Sequence, residues 1–376
     1  MDKKNLKIEQ QLNKRTLLGN KRSLTLTDEK LVDFSSNDYL GLSRSEGLKT
    51  QILSNYEKLS PKNGSTGSRL LTGNSLLATQ TESELAKLFG YNACLIFNSG
   101  YTANLGFFSC LPQRGDTILY DELSHACIKD GSRLSLAKSM PFKHNDLEDL
   151  ERKLKLSEGE IYIACEAVYS MDGDFAPLKK LCLLSEKYNA KLVVDEAHST
   201  GVFGNNGAGL VAELGLTEQV YATIFTFGKA MGIHGACVAS NQMVIDYIIN
   251  YSRPFIYTTA PSSFEFIAIQ QAFKFLKNTP KLATDLKENI TLFNQELKVQ
   301  RPARYLSNSA VQVVITSGNQ KAKTTSKQLK EMGFDVRPIL SPTVREGGER
   351  LRICLHSFNS KKEIMSLVHG LNSLLC

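Results

Sequence analysis

One lysine of this chain lies in a setting that favours covalent chemistry. Lys229 stands in TFGKAMG, a glycine-punctuated segment between two apolar runs. Burying a lysine ammonium is costly, so apolar surroundings desolvate the amine and favour imine formation with a carbonyl group. Most lysines are solvated surface groups, so Lys229 taken alone leaves both interpretations open.

A carboxylate is predicted to accompany this lysine. Asp195 ends the apolar run KLVVD, and a carboxylate in such surroundings needs a strong partner. It is either a turn residue at a strand end or a negative charge that faces a cationic ligand atom. Asp195 and Lys229 follow successive predicted strands, and the pair suits pyridoxal phosphate (PLP). The lysine would form an imine with it, and the aspartate would keep its pyridine nitrogen protonated.

The residues DEAH at 195–198 also match a helicase motif, in which the acidic pair serves magnesium and water. That function requires a phosphate-binding G-x-x-x-x-G-K-[ST] segment upstream. The chain has no such segment, because Gly228-Lys229 lies downstream, is followed by Ala230 and has Thr223 in place of the first glycine. The sequence therefore argues against a helicase.

Three further segments follow predicted strands. FNSGYTAN (97–104) opens a helix, where small residues let backbone N–H groups approach an anion; a plain strand-to-helix turn is the alternative. His125 stands at another predicted helix start, where a lone histidine is more often a cap or a surface residue. SMDGDFAP (170–177) lacks the full spacing of a calcium loop, and the sequence predicts no metal site.

These segments need a framework that brings strand ends together. From about residue 78 to residue 240, short apolar runs rich in β-branched residues alternate with helical stretches. This alternation predicts a parallel α/β sheet covered on both faces, with ligands at the strand ends. Pro280 is predicted to open a helix of a smaller α+β region. We therefore predict an N-terminal arm (1–45), a large domain (46–277) and a C-terminal small domain (278–376).

Composition narrows the class of protein. The 376 residues include 45 Lys and Arg against 38 Asp and Glu, a net charge of +7, but the basic residues are scattered rather than striped. This argues against nucleic-acid binding and equally fits a plain surface or a site for a polyanionic small molecule. No apolar run is long enough to span a membrane, and the first residues have no secretory pattern. The eight cysteines show no C-x-x-C pair, which predicts a soluble protein of the reducing cytosol.

The motifs occur in one order between residues 35 and 344: SSNDYLGL, GSTGSRLLTGN, FNSGYTAN, LSHA, SMDGD, DEAHSTGVFG, TFGKAMG, IYTTAP and RPILSPTV. In this combination the chain resembles the α-oxoamine synthases, PLP enzymes of the aminotransferase-like type I fold. The resemblance implies an α/β fold with a mainly parallel sheet in a PLP-binding large domain and a smaller α+β C-terminal domain. GSTGSRLLTGN and RPILSPTV favour the branch of the family that makes 8-amino-7-oxononanoate.

The resemblance also implies roles for matching residues. The catalytic set comprises Lys229 as the Schiff-base lysine, Asp195 as the pyridinium partner, His198 as the group bonded to the phenolic oxygen, and His125 as the stacking ring. Further cofactor contacts are implied for Gly100, Tyr101, Ser170 and Thr226, and across a dimer interface for Thr258 and Thr259. Substrate contacts are implied for Arg15, Asn37, Thr343 and the carboxylate-binding Arg352.

The activity that the resemblance implies is an acyl transfer in biotin biosynthesis. L-Alanine and a pimeloyl thioester, of CoA or a carrier protein, condense with decarboxylation to 8-amino-7-oxononanoate, CO2 and free thiol. A cytoplasmic homodimer with shared active sites is expected.

Two rivals remain. One is a sister synthase that uses glycine or serine with another acyl-CoA. The other is a non-catalytic scaffold, which would have no need of the four catalytic-type residues together. Two departures from the family pattern, Ala78 in place of histidine and Ser262 in place of proline, concern the acyl-CoA entrance and an interface loop.

Overall fold

The structure, a computed structural model, describes residues 5–300 and 303–375. Of the predicted segments, residues 1–4, 301–302 and 376 lie outside these ranges. The strands are β1 Val32–Asp33, β2 Ala93–Phe97, β3 Thr117–Asp121, β4 Lys138–Phe142, β5 Ile161–Glu166, β6 Lys191–Asp195, β7 Ala222–Thr226, β8 Ala236–Ser240, β9 Arg304–Tyr305, β10 Val311–Ile315, β11 Phe334–Asp335, β12 Arg337–Ile339 and β13 Arg350–Cys354.

The α-helices lie between these strands along most of the chain. They are α1 Leu6–Leu17, α2 Glu46–Leu59, α3 Leu76–Phe89, α4 Gly100–Cys110, α5 Ala126–Leu134, α6 Leu147–Leu154, α7 Leu178–Lys187, α8 Leu210–Glu213, α9 Gln242–Tyr251, α10 Arg253–Ile256, α11 Ser263–Asn278, α12 Lys281–Glu296, α13 Asn319–Glu331 and α14 Lys361–Leu375. None of the helices in the described ranges is long and apolar enough to cross a membrane.

The chain divides into two compact units. The large unit comprises residues 38–170 and 174–285, and the small unit comprises residues 1–37, 171–173 and 286–376 where they are described. The predicted division into 1–45, 46–277 and 278–376 stays a prediction. In the structure β1 pairs in parallel with β11, Val32 opposite Phe334, and this pairing makes the end of the predicted arm part of the small unit.

The large unit is built on a sheet of seven strands within the described residues, in the order β2-β8-β7-β6-β5-β3-β4. All neighbouring pairs are parallel except those of β8, which runs antiparallel to β2 and β7. The predicted α/β class with a mainly parallel sheet is therefore confirmed. Because β2, β3, β5, β6 and β7 run in one direction, their carboxyl ends lie along one edge of the sheet.

Both faces of this sheet are buried, as its strand sequences require. Along β5, Tyr162 and Ala164 belong to one hydrophobic cluster, whereas Ile163 and Cys165 belong to the other. Successive side chains of a strand point to opposite faces, so a run of apolar residues indicates cover on both sides. The seven cysteines in the described ranges are buried thiols outside any disulfide, and they contribute to the core as small apolar groups.

Two strands of the large unit's sheet escaped prediction for identifiable reasons. Lys138–Phe142 reads KSMPF, and its lysine and proline are unfavourable in a strand. It nevertheless forms the edge strand β4, where the missing N–H of Pro141 does not interrupt the hydrogen bonds of a central strand. Ala236–Ser240 follows a glycine-rich loop and reads ACVAS, with Val238 as its one β-branched residue and two alanines that are poor strand formers. The predicted helix that ends at Gly90 is present, and Gly90 adopts the left-handed conformation with φ 76°.

The small unit contains an antiparallel sheet in the order β12-β13-β10-β9. The strands predicted around VQVVITS, FDVRPI and RLRICL correspond to β10, to β11 with β12, and to β13. The predicted helix near 319–331 is α13, and Pro280 immediately precedes α12. The order of elements expected for a smaller α+β region is thus present.

The two departures from the family pattern both lie near helix starts in the large unit. Ala78 is fully buried in α3, and its N–H donates to the Ser75 hydroxyl over 3.2 Å. Its predicted relation to an acyl-CoA entrance stays a prediction. Ser262 caps α11 in a reciprocal arrangement, in which its hydroxyl accepts from the Glu265 N–H and its own N–H donates to the Glu265 carboxylate.

Replacing Ser262 by alanine should lower the free energy of unfolding by about 1 kcal/mol, because the first turn of α11 loses a side-chain acceptor. The measurement is the midpoint of urea unfolding. Ser263→Ala, one residue inside the helix, is the matched control and should leave the midpoint nearly unchanged. Equal midpoints for Ser262→Ala and wild type would show that the cap contributes nothing to the free energy of unfolding.

Candidate active site

A chain of three side chains leads from the loop after β7 into the large unit. The Nζ atom of half-buried Lys229 lies 2.7 Å from Nε2 of His198, and the opposite ring nitrogen, Nδ1, lies 2.7 Å from the hydroxyl of Tyr39. His198 and Tyr39 are both buried. When Lys229 donates to Nε2 as an ammonium, the neutral ring carries its proton on Nδ1 and donates it to Tyr39. The amine is therefore positioned by a buried hydrogen-bond network.

Asp195 ends β6 as a buried carboxylate, with 4% of the residue exposed. Its Oδ2 accepts from Nδ2 of Asn104 over 2.7 Å, and its Oδ1 accepts from the Ala197 N–H over 2.8 Å. Both donors are neutral, so they orient the carboxylate without cancelling its charge. This arrangement suits a cationic ligand atom, which is the functional interpretation given from the sequence.

A second buried carboxyl lies beside Asp195. Glu166 is directly opposite it in the β5–β6 ladder and is 3% exposed. Burial raises the pKa of Glu166, and the negative charge of Asp195 raises it further. Its Oε1 accepts from the backbone N–H of His125 over 2.7 Å, and the N–H of Ser170 also bonds to this carboxyl. Glu166 thus ties two loops of the site to the strand that carries it.

His125 is the N-cap of α5, and its side chain is exposed. The Cys127 N–H donates to Nδ1 over 3.3 Å, so the neutral ring carries its proton on Nε2. Loss of hydration lowers the pKa of His125; the nearby Asp195 opposes this effect and Lys229 adds to it. Tyr101 meets the ring edge-to-face at 6.4 Å. His125 is therefore both a helix cap and a surface residue, the two alternatives expected for a lone histidine, and its ring is neutral and accessible.

The start of α4 forms a close-packed turn against the end of β7. A side-chain carbon on Gly100 would lie 2.4 Å from Cγ2 of Thr226, so only glycine fits here. Ser99 and Thr102 form a capping box that fixes this first turn. Next to it, Nδ2 of Asn98 donates to the hydroxyl of Thr258 and to the carbonyl of Thr259, each over 3.2 Å. The predicted phosphate residues of this turn are thus gathered at one helix N-terminus.

The structure places the predicted substrate residues in the small unit, in two groups. Arg352 is buried, and its Nη2 donates to Oδ1 of Asn37 over 2.9 Å while its Nη1 donates to Sγ of Cys354 over 3.0 Å. Arg15 and Thr343 line one pocket of about 220 Å³. The remaining predicted site residues belong to the large unit.

Sequence reasoning missed Tyr39, Asn104 and Glu166. Glu166 carried the same signal as Asp195, an acidic residue that ends an apolar strand, and could have been found by it. Asn104 stands within FNSGYTAN, but nothing in that segment distinguishes it as a site residue. Its Oδ1 is buried and has no hydrogen-bond partner in residues 5–300 and 303–375, which only the structure reveals. Tyr39 precedes His198 by 159 positions, and only the fold brings them together.

The fold and the strand-end site define a class of protein. Residues 29–371 match the family of aminotransferases of class I and II. The chain belongs to this family. The described residues contain no group of three or more His, Cys, Asp or Glu side chains placed to hold a metal ion.

Relatives within the family narrow the class further. An 8-amino-7-oxononanoate synthase of Emericella nidulans is 38% identical, over 94% of this chain and 92% of the relative. Another, of Lysinibacillus sphaericus, is 34% identical over 95% of this chain and 92% of the relative. These relatives confirm the predicted resemblance to the α-oxoamine synthases.

Solved structures show the same architecture. A serine palmitoyltransferase from S. paucimobilis with a bound PLP–myriocin adduct superposes with a TM-score of 0.89 at 26% identity, covering 99% of this chain and 97% of that chain. An 8-amino-7-oxononanoate synthase from Francisella tularensis superposes with a TM-score of 0.78 at 30% identity, covering 92% and 98%.

A second polar cluster lies in the large unit beyond the end of β3. Nδ1 of His144 lies 3.0 Å from Oδ1 of the fully buried Asp121, and Nε2 lies 2.7 Å from Oδ2 of Asp174. Burial lowers the pKa of His144, but the two carboxylates outweigh it and raise the pKa to about 10. His144 is therefore a cation at neutral pH that links β3 to the loop following Ser170.

This cluster should make stability depend on pH. The folded pKa of His144 lies above its usual value of 6.5, so its contribution is complete below about pH 6.5 and is lost as the pH rises towards 10. His144→Gln should thus lower the urea midpoint most at pH 6 and progressively less towards pH 10. His369→Gln, on the exposed side of α14, is the control. A deficit that stays constant across this range would contradict the assignment of charge.

Proposed function

We propose that this chain condenses L-alanine with a pimeloyl thioester, with loss of CO2, to give 8-amino-7-oxononanoate and free thiol, the acyl-transfer step of biotin biosynthesis. PLP is the cofactor. The observation that carries the proposal is the hydrogen bond between the Lys229 amine and buried His198, on the same sheet edge as the buried carboxylate of Asp195. A scaffold protein would have no use for this arrangement.

The residues of the large unit fit PLP in charge and in space. Lys229 would hold the cofactor through its amine, Asp195 would face the pyridinium nitrogen, and His198 would bond to the phenolic oxygen. The neutral ring of His125 would stack on the cofactor. Gly100, Tyr101, Thr226 and Ser170 are proposed as the phosphate and ring contacts. The N-terminus of α4, at which Gly100 and Tyr101 lie next to Thr226, supports this assignment, because backbone N–H groups there favour an anion. When bound, PLP supplies a ring that accepts the electron pair left on the amino-acid Cα.

The protein groups position the substrates and handle the protons. The amine of Lys229, once released, is proposed to take the Cα proton and to return one to the product, with His198 and Tyr39 fixing its position. Asp195 is proposed to remain paired with the pyridinium nitrogen of the cofactor. Arg352, held by Asn37, is proposed to bind the amino-acid carboxylate, and Arg15 and Thr343 to contact the acyl substrate. An arginine suits a carboxylate because its planar fork donates two parallel hydrogen bonds.

A homodimer and a cytoplasmic location complete the proposal. Thr258 and Thr259 are proposed to contact the phosphate across the dimer interface; within this chain they accept hydrogen bonds from Asn98 beside the α4 start. A reducing compartment is supported by the seven buried cysteines of the described ranges, which are thiols outside any disulfide.

A sister reaction with serine or glycine is the second candidate. The likeness to serine palmitoyltransferase structures favours it, and one methyl or hydroxyl group changes substrate preference by only about 1–3 kcal/mol in an apolar pocket. The choice of amino acid therefore needs a direct comparison.

Purified, PLP-loaded protein should release free thiol from pimeloyl-CoA with L-alanine, and less with glycine or L-serine. The measurement is thiol release, and a carrier-protein thioester is tested in parallel. Lys229→Ala should abolish release, because it removes the proposed base and the attachment point for the cofactor. Lys87→Ala, on the surface of α3, is the control. Full turnover by Lys229→Ala would overturn the mechanism, whereas release with serine or glycine alone would favour the sister reaction.

Asn104→Ala should weaken retention of PLP by about tenfold, because Asp195 loses a hydrogen bond to its charged carboxylate. Retention is measured by the absorbance of the protein during dialysis. Asn92→Ala, at an exposed asparagine, is the control, and urea unfolding of the cofactor-free proteins separates cofactor affinity from fold stability. Unchanged retention in Asn104→Ala would mean that this bond does not support the cofactor site.

A further inference from the structure

The buried Arg352 of the small unit is held at both terminal nitrogens of its guanidinium fork. Nη2 donates to Oδ1 of Asn37 over 2.9 Å, and Nη1 donates to Sγ of Cys354 over 3.0 Å. Cys354 belongs to the same strand as the arginine, β13, whereas Asn37 lies far away in the sequence. The orientation of the fork therefore depends on how the segment that carries Asn37 is fixed to β13.

That segment runs beside the end of β13. The Cys354 N–H donates to the carbonyl of Phe34 over 2.8 Å. Nδ2 of Asn359, in the turn after β13, donates to the carbonyl of Asp33 over 3.2 Å. Both bonds are made several residues before Asn37, so they leave the peptide group next to it to a further contact.

His356 supplies that contact. Its ring is fully buried, and Nε2 lies 3.0 Å from the carbonyl oxygen of Ser36. This carbonyl belongs to the planar peptide group that joins Ser36 to Asn37. A hydrogen bond to it therefore restricts the backbone from which the Asn37 side chain extends.

The partners of the His356 ring show that both of its nitrogens carry protons. Nδ1 lies 3.0 Å from Oδ1 of Asn359. Other contacts orient that amide, since its Oδ1 accepts from the His356 N–H over 3.0 Å and its Nδ2 donates to the Asp33 carbonyl. The Ser36 hydroxyl, 3.2 Å from Nε2, donates its hydrogen bond to the carboxylate of Asp33. Each ring nitrogen thus faces oxygen acceptors and donates to them.

The positive charge of the His356 ring is offset by its neighbours. Burial alone would raise the pKa of Asp33, but hydrogen bonds from Ser36 and Ser35 and the charge of His356 lower it to about 2. Asp33 is therefore a carboxylate at neutral pH, and a buried cation needs such a partner. The Phe358 ring stacks on the imidazole with the ring centroids 4.5 Å apart. His356 is thus held rigidly in the position from which it donates to Ser36.

We propose that His356 is a positioning residue for binding of the amino-acid carboxylate. It fixes Asn37 through the Ser36 carbonyl, and Asn37 in turn fixes the fork of Arg352. The inference rests on the proposed function for the role of Arg352, and the proposed function assigns His356 no role. It does not depend on which amino acid is used, because glycine, L-alanine and L-serine carry the same carboxylate.

Two amide substitutions separate the two hydrogen bonds of the His356 ring. His356→Gln keeps an N–H donor near the place of Nε2, whereas the shorter side chain of His356→Asn keeps one near the place of Nδ1. Both variants lose the positive charge, so a difference between them reports the bond to the Ser36 carbonyl. We expect His356→Asn to raise the Kd for L-alanine about tenfold and His356→Gln to stay close to wild type.

The Kd is measured on the PLP-loaded protein from the change in cofactor absorbance, with glycine and L-serine in parallel. Urea midpoints of the cofactor-free proteins should fall alike in the two variants, which separates carboxylate binding from fold stability. In the thiol-release assay, His356→Asn should raise the KM for the amino acid more than it lowers kcat, because the carboxylate is held in the ground state and in the transition state alike.

Equal Kd values for wild type and His356→Asn, or equal weakening in the two variants, would overturn the proposal. Binding is measured without the acyl substrate. A protein that shows the expected order of Kd values but releases no thiol therefore supports the role of His356 and refutes the proposed function. Thiol release with an unchanged Kd in His356→Asn does the reverse. Absence of amino-acid binding by wild type would overturn both.

Discussion

Two carboxyl groups placed side by side in a buried sheet are the constraint on which the large unit depends. Asp195 and Glu166 stand opposite each other at the ends of β6 and β5, and both are buried. Two adjacent negative charges in such surroundings repel strongly. Glu166 therefore binds its proton more tightly, and a positive charge beside Asp195 stabilises the pair. Neutral donors from Asn104 and Ala197 fix Asp195 in orientation only. Glu166 in turn accepts from the N–H groups of His125 and Ser170, so the pair fixes two loops at the edge of the sheet.

Local sequence predicted the parts of the fold that local chemistry determines. A few adjacent residues are enough to identify the apolar strand runs, the glycine that ends α3 and the reactive surroundings of Lys229. The edge strand β4 was missed, because a strand with a solvent-facing edge tolerates a proline that a central strand does not. Tyr39 was missed for another reason: its bond to His198 spans 159 positions, and no periodicity encodes such a contact.

The same distinction separates the residues within the candidate site. Lys229, Asp195 and His125 each follow a strand of the same sheet, and because parallel strands end at one edge, the sequence order already implied that they meet. Which nitrogen of His125 carries the proton depends on the Cys127 N–H, and the need for glycine at position 100 depends on Thr226. Such features arise from close approach between elements, and only coordinates reveal them.

The position of Glu166 opposite Asp195 has a thermodynamic consequence. Burial, and after it the negative charge of Asp195, raise the pKa of Glu166, so a cation placed beside Asp195 lowers this pKa. Occupation of the site then expels part of a proton into the buffer, and the observed heat of binding varies with the ionisation enthalpy of that buffer. By linkage, the affinity rises with pH over the range in which Glu166 titrates. With the cofactor held beside Asp195 as proposed, its capture is a proton-exchange equilibrium at the carboxyl that anchors the histidine loop.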